Sequence, residues 1–177
     1  MRLDVYVEDD KGTLYDIEMQ TTDYADPAEL PKRTRYYQAM MDMDVLNKGE
    51  FYTKLRKTYI IFICTFDPFD RNLSQYTFRE TCAEDATLEM GDETTKIFLS
   101  SKGRREGIDS DLAVFLDYID VSCYDMDTVP IGHKRRYEDI SPATIAFFAA
   151  GAFLSSALKH RIKFIFESRI RDWLCRK

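Results

Sequence analysis

The 177-residue sequence has few of the side chains that bind soft metal ions or form nucleophile and base pairs. It has two histidines, His133 and His160, and both lie far along the chain from the acidic residues near the N-terminus. This distribution argues against a histidine metal site and against a Ser-His-Asp triad. The sequence also has no glycine-rich phosphate loop, so a nucleotide-hydrolysing motor has no support.

Cysteine is also sparse. The four cysteines form no C-x-x-C pair and no cluster with histidine, which argues against a zinc site. They are Cys64, Cys82, Cys123 and Cys175. A strand pattern begins almost at Met1, so we expect no signal peptide and a cytoplasmic protein with reduced thiols.

Long hydrophobic runs are missing as well. The apolar stretch 145–158 is shorter than the roughly 18 to 20 residues that a membrane-spanning helix needs. It is followed by basic residues and Trp173, which suit a helix at a membrane surface. The plainer interpretation is a helix with no evolved partner. Membrane contact through 145–177 and a basic appendage that faces DNA are the two alternatives.

The net charge of −6 conceals an asymmetry. Residues 1–133 hold 15 Lys and Arg against 27 Asp and Glu, a net of −12, whereas residues 134–177 hold 10 against 4, a net of +6. An acidic body disfavours general binding to DNA, because phosphate contacts require a basic surface. A bound divalent cation would relieve this penalty locally.

The acidic N-terminal segment has the pattern of a β-hairpin. Residues 3–8 alternate between apolar and polar, a turn follows at 8–13, and 14–20 alternate again. Pairing the two strands around Lys11 places Asp4 opposite Glu18, with Gln20 on the same face. Opposed carboxylates about 5 Å apart repel unless a cation lies between them. Oxygen ligands favour Mg²⁺, Mn²⁺ or Ca²⁺, although charge patterning alone favours a solvated hairpin face.

The following segments predict a mixed α/β domain. A helix is expected from about Pro31 to about Asn47, after a capping sequence that begins at Asp26. The apolar run 59–66 predicts a strand buried on both faces. Short strands are expected at 76–78 and 95–99, and a helix at 111–119 with its apolar side at 112, 115, 116 and 119.

Four blocks of sequence then appear in a characteristic order: RLDVYVE (2–8), YDIEMQ (15–20), LPKRTRYYQ (30–38) and IIFICTFDPF (60–69). Together they resemble the Rpn family of recombination-promoting nucleases, often described as PD-(D/E)XK nuclease family transposases and found mainly in bacteria. The similarity continues through GDETTKIFL (91–99) and FLDYI (115–119). It therefore covers roughly residues 2–120.

The resemblance implies a site and a chemistry. Asp4 corresponds to the acid of the first strand and Glu18 to the acid of the second, so these two are expected to hold Mg²⁺ or Mn²⁺. Gln20 stands where the wider superfamily usually has lysine and is expected to join them as a catalytic residue. Arg33 and Tyr36 match an R-x-x-Y pattern on the next helix and are expected to bind substrate. The implied reaction is metal-dependent hydrolysis of DNA phosphodiesters.

The resemblance also implies the domain organisation. Residues 1–120 are expected to form a restriction-endonuclease-like core, a mixed sheet flanked by helices. Family members carry a helical segment before the first strand, and the chain starts at Met1 on that strand, so we expect the first helix to be missing. Residues 121–177 depart from the family and predict a separate tail, basic, partly apolar and helical.

Three hypotheses on function follow. The first is a metal-dependent DNA endonuclease associated with transposition or recombination, either active or made inert by truncation. The second is a non-catalytic transposase remnant that acts as an interaction protein. The third is a small membrane-associated protein that uses its tail. Under the first hypothesis the partner is DNA, and the sequence leaves open whether the protein also forms a homo-oligomer.

Overall fold

The computed structural model describes residues 5–122 of the chain. Within that range, two helices and five strands follow one another as β-β-α-β-β-β-α, with a 3-10 turn at Tyr52–Lys54. The strands are β1 (Val5–Glu8), β2 (Leu14–Gln20), β3 (Thr58–Cys64), β4 (Gln75–Phe78) and β5 (Thr94–Ser100), and the helices are α1 (Glu29–Val45) and α2 (Ser110–Ser122).

The strands form one mixed sheet in the order β1-β2-β3-β5-β4. The three central strands β2, β3 and β5 run parallel, and a short antiparallel strand lies on each edge. Since β3 lies in the middle and both of its faces are covered, the apolar run Ile60 to Cys64 is almost completely buried. The mixed sheet with flanking helices confirms the predicted α/β class.

The turn between β1 and β2 is closed by its own side chains. The carboxylate of Asp9 accepts hydrogen bonds from the backbone N–H groups of Lys11 (2.9 Å) and Thr13 (2.8 Å). Gly12 has a φ of 80°, a conformation that glycine adopts without steric cost. The turn chemistry predicted for residues 8–13 is therefore confirmed.

The register of this hairpin matters for the predicted acidic pair. Val5 lies opposite Ile17, and this is the register that the prediction of Asp4 opposite Glu18 assumes. Asp4 lies outside the described residues. Its pairing with Glu18 therefore stays a prediction.

Two hydrophobic clusters cover the two faces of the sheet. Helix α1 covers one face, where the cluster consists of Leu14, Leu30, Tyr37, Met41, Ile60, Phe62, Cys64, Tyr76 and Phe98. Helix α2 covers the other, where it consists of Val7, Tyr15, Ile17, Ile61, Ile63, Ile97, Leu99, Leu112, Phe115, Leu116 and Ile119. The four positions predicted for the apolar side of α2 are all buried. Because side chains alternate along a strand, every second residue of β2 from Leu14 to Gln20 lies on the α1 face.

Helix α1 begins at Glu29, two residues before the predicted start at Pro31, and ends at Val45. Proline is tolerated here because the first N–H groups of a helix have no partner within the helix. The prediction that Asp26 caps the helix is wrong, because the N-cap residue is Ala28 and no side-chain capping hydrogen bond forms there. The Asp26 carboxylate instead accepts a hydrogen bond from the N–H of Ala28 (2.9 Å), in the turn before the helix.

The loop after β3 is organised by a carboxylate. Asp67 accepts hydrogen bonds from the Tyr76 hydroxyl (2.5 Å) and from the N–H groups of Asn72 (2.6 Å) and Phe69 (3.2 Å). These hydrogen bonds lower the pKa of Asp67, although its burial acts in the opposite direction. The predicted strand therefore ends at Cys64 rather than Phe66, because the backbone turns to enclose this carboxylate.

The loop after β5 approaches the start of β4 very closely. A Cβ atom on Gly103 would lie 2.1 Å from the backbone carbonyl carbon of Leu73, so no side chain fits there. Arg105 holds the same loop by donating to the carbonyl of Ser101 (2.7 Å) and by pairing with Asp117 of α2 (2.9 Å). This loop therefore joins the sheet to helix α2.

Several predictions concern residues that the structure does not describe. The predicted tail 121–177 lies, from residue 123 onward, outside the described range, together with both histidines, Cys123 and Cys175. Cys64 and Cys82 are free thiols. No helix within residues 5–122 is long and apolar enough to cross a membrane.

Candidate active site

Two of the predicted site residues lie together near the end of β2. Glu18 and Gln20 point to the α1 face, and their exposed fractions are only 4% and 5%. Their neighbours in the adjacent parallel strand β3 are Phe62 and Cys64. A carboxylate buried among apolar side chains is costly unless a cation or hydrogen-bond donors satisfy it.

Arg33 supplies that cation from the second turn of α1. Its Nη2 lies 3.4 Å from Oε2 of Glu18, and its Nη1 donates to Oε1 of Gln20 at 2.7 Å. Helix α1 crosses over the sheet between β2 and β3, so residues separated by 13 and 15 positions come together. The structure thus brings together three of the five residues predicted for the site.

Tyr37 links the arginine to the glutamate. Its hydroxyl accepts a hydrogen bond from Arg33 Nη2 (2.8 Å) and donates one to Glu18 Oε2 (3.4 Å). The ring stacks parallel on Phe62, with centroids 6.1 Å apart. Burial raises the pKa of Tyr37, and the nearby Glu18 charge raises it further despite the hydrogen bond from Arg33. The phenol therefore stays protonated and keeps its hydrogen for Glu18.

The surroundings keep Arg33 charged. Partial burial lowers its pKa, but the hydrogen bond to Tyr37 and the neighbouring Tyr37, Tyr24 and Glu18 raise it by more. The guanidinium also lies over the rings of Tyr37 and Phe62, at 5.4 and 5.2 Å from their centroids, positions that favour a cation. The described part of the site is thus built around one fixed positive charge.

The segment after β2 fixes the orientation of Gln20. The Nε2 atom donates to the carbonyl oxygen of Thr22, which leaves Oε1 directed at Arg33. Tyr24 lies on the outer side, and its hydroxyl accepts a second hydrogen bond from Arg33 Nη1 (3.1 Å). Gln20 therefore presents an oxygen, not a donor, to whatever cation occupies this corner.

Tyr36 is placed differently from its neighbour. It was predicted to share a face with Arg33, but its exposed fraction is 53% and its described ring contact is with Tyr37. The tyrosine beside Glu18 is Tyr37, which the prediction missed. The signal was present in the sequence, because residues four apart on a helix meet as readily as residues three apart. A role for Tyr36 in binding substrate stays a prediction.

A further acid lies on the same face. Asp16 precedes Glu18 by two residues on β2 and is fully buried. The alternation of apolar and polar residues in 14–20 also puts Asp16 on the polar side of the strand. Its carboxylate adds negative charge to the α1 face and raises the pKa of Tyr37 slightly.

The oxygens of the site fit a hard divalent cation. Glu18 and Gln20 already direct carboxylate and amide oxygens at a positive charge, and such oxygens are the ligands that Mg²⁺ and Mn²⁺ prefer. Residues 5–122 contain no cluster of three His, Cys, Asp or Glu residues that could hold a metal ion. The described part of the chain therefore supplies some of a metal shell, and Asp4 lies outside it. Burial raises the pKa of the adjacent Cys64 thiol to about 12, so that thiol stays protonated.

The fold and the site define a class of protein. Its α/β core carries a buried E-x-Q pair, here Glu18 and Gln20, at the end of a central strand. The family model described as PD-(D/E)XK nuclease family transposase matches residues 1–101. The chain belongs to this family. No curated protein and no solved structure matches it.

Membership of the family carries coarse conclusions on function. It assigns the chain a nuclease- or transposase-associated role and implies DNA as the substrate class. Nucleases of the PD-(D/E)XK type generally use divalent metal ions. The predicted family and fold are thereby confirmed.

Proposed function

We propose that this protein is a Mg²⁺- or Mn²⁺-dependent DNA endonuclease of the Rpn type that acts in transposition or recombination. One observation carries the proposal: the E-x-Q pair of β2 is buried and directs its oxygens at a cation, where a solvated hairpin face would leave both side chains exposed. The predicted cytoplasmic location, bacterial origin and possible homo-oligomer stay predictions beside it.

Glu18 and Asp4 hold the metal in this proposal. Glu18 contributes a carboxylate whose position is set by Tyr37 and by the pairing of β2 with β3. When bound, a divalent ion lowers the pKa of its water ligand and neutralises charge that builds on the scissile phosphate. The protein supplies a buried corner in which the Glu18 carboxylate is held by Tyr37.

Gln20 and Arg33 have complementary roles. The Gln20 amide is held at its nitrogen by Thr22 and presents its oxygen to the site, so it can accept a hydrogen bond from an attacking water. Unlike lysine, it adds no full charge to stabilise the transition state. Arg33 supplies a charge from the opposite wall and, with Tyr36, is assigned to the DNA phosphates. A guanidinium suits this task because its planar fork matches phosphate oxygens.

The test is cleavage of supercoiled plasmid by the full chain with Mg²⁺, with Mn²⁺ and with EDTA. We expect nicked and linear DNA with either metal and none with EDTA. Asp4→Asn should abolish cleavage while the circular dichroism spectrum stays unchanged. Intact plasmid in both metals, with folded protein, would favour the non-catalytic interaction protein instead.

A further inference from the structure

The guanidinium of Arg33 contacts the carboxylate that the proposed nuclease would use to bind a metal ion. It lies 3.4 Å from Glu18 Oε2, an oxygen that a divalent cation would take, and 2.7 Å from Gln20 Oε1, which borders the same site. Two cations cannot share these oxygens at such distances without strong repulsion. Because an arginine does not lose its proton in proteins, only movement of the side chain can clear the site.

The surroundings of Arg33 allow that movement. Besides Glu18 and Gln20, it donates to the neutral hydroxyls of Tyr37 and Tyr24, at 2.8 and 3.1 Å. The Arg33 side chain is 22% exposed, whereas the Glu18 side chain is only 5% exposed. A guanidinium that leaves Glu18 therefore keeps the Tyr24 hydroxyl on its outer side and gains water, whereas the buried carboxylate cannot follow it.

We propose that Arg33 and a divalent cation use the Glu18 carboxylate alternately, and that Arg33, once displaced, pairs with a DNA phosphate. This inference rests on the proposed function, whose metal site it regulates. In the metal-free chain Arg33 compensates a buried carboxylate that would otherwise be destabilising. In the metal-bound chain the same side chain is released toward solvent, where a DNA phosphate can pair with it.

The competition is measured by isothermal titration calorimetry of the full chain with MnCl₂ in the absence of DNA. The variant is Arg33→Met, which removes the charge and adds no ligand oxygen. We expect it to bind Mn²⁺ about fivefold or more tightly than the wild type, the lower end of typical coupling between two sites. The control is Arg35→Met, which removes the same charge from an exposed position on the same helix and should leave the affinity unchanged.

Thermal unfolding provides a second readout. Without metal, Arg33→Met should have a lower Tm than the wild type, since Glu18 loses its counter-charge. Saturating Mn²⁺ should raise the Tm of the variant by more than it raises that of the wild type, because at one ligand concentration the folded state is stabilised more by a ligand that it binds more tightly. If Arg33→Met does not fold, Arg33→Lys keeps a cation but loses the fork that spans both oxygens, and its affinity should still exceed that of the wild type.

The outcomes separate the two proposals. Equal or weaker Mn²⁺ binding by the position 33 variants, with clear binding by the wild type, would overturn the alternation and leave the metal site intact. No Mn²⁺ binding by any variant would overturn both proposals. Binding that survives Glu18→Gln unchanged would place the metal elsewhere and would also overturn both.

Discussion

The Arg33–Glu18 ion pair should stabilise the fold measurably, because the Glu18 carboxylate is buried and the Arg33 guanidinium lies beside it. At 3.4 Å and an effective dielectric constant of about 20, the attraction between unit charges is about 5 kcal/mol. Desolvation of the pair and solvent screening of the partly exposed Arg33 offset much of it. We therefore expect a coupling free energy of about 1–3 kcal/mol.

A double-mutant cycle measures that coupling. Arg33→Met should lower the free energy of unfolding by about 2–4 kcal/mol, since the buried carboxylate of Glu18 loses a neighbouring positive charge. Glu18→Gln should cost about 1 kcal/mol or less, because Arg33 keeps Tyr37, Tyr24 and solvent. The double variant should lose less than the sum of the two single losses, by the coupling free energy.

Urea denaturation followed by circular dichroism gives the four free energies, provided that the m-value is the same for all variants. The matched control cycle replaces Arg33→Met by Arg35→Met and should be additive within about 0.5 kcal/mol. Additive losses for Arg33 and Glu18 as well would refute the reasoning, because the 3.4 Å separation of their charged groups would then carry no energetic coupling.

Two further predictions concern the loops. Gly103→Ala should lower the free energy of unfolding by about 1–3 kcal/mol or prevent folding, because its Cβ would collide with the backbone of Leu73. The control is Arg104→Ala, whose side chain is largely exposed and which should change the free energy of unfolding in urea little. Equal losses of this free energy in the two variants would contradict the close approach. Asp67→Asn should cost about 1–2 kcal/mol at pH 7, because the carboxylate accepts three hydrogen bonds. Since its folded pKa is lowered, this contribution is present above a pH of about 4 and is lost as the pH falls through the folded pKa. Urea titrations from pH 3 to 7 should show that loss in the wild type and a smaller one in Asp67→Asn, whereas Asp70→Asn, changed at an exposed position of the same loop, should keep the wild-type dependence.

Much of the fold is predictable from local patterns. Period-two alternation identified β1 and β2 and placed Glu18 and Gln20 on one face, because that face depends only on the strand itself. The unbroken apolar run before Asp67 identified β3 as the central strand. The start of α1 was wrong by two residues, since Pro31 looks like a helix boundary but is harmless in the first turn.

The contacts that build the site are not local. Arg33 reaches Glu18 only because α1 packs across β2 and β3, and no spacing along the chain encodes that packing. Tyr37 was missed for a different reason, the choice of a three-residue spacing where a four-residue spacing also fits. The exposure of Tyr36 follows from the same rotation of the helix, which turns its neighbour inward.

The central claim is that Glu18 holds the metal for cleavage of DNA. The most direct measurement is the rate of plasmid nicking in Mn²⁺ by Glu18→Gln relative to the wild type, with Glu8→Gln, a largely exposed carboxylate on β1, as the control. Loss of several kcal/mol of metal-dependent stabilisation of the transition state predicts that Glu18→Gln nicks the plasmid at least about 100-fold more slowly than the wild type. The rate of Glu8→Gln should be unchanged. Equal rates for the wild type and folded Glu18→Gln would contradict the account.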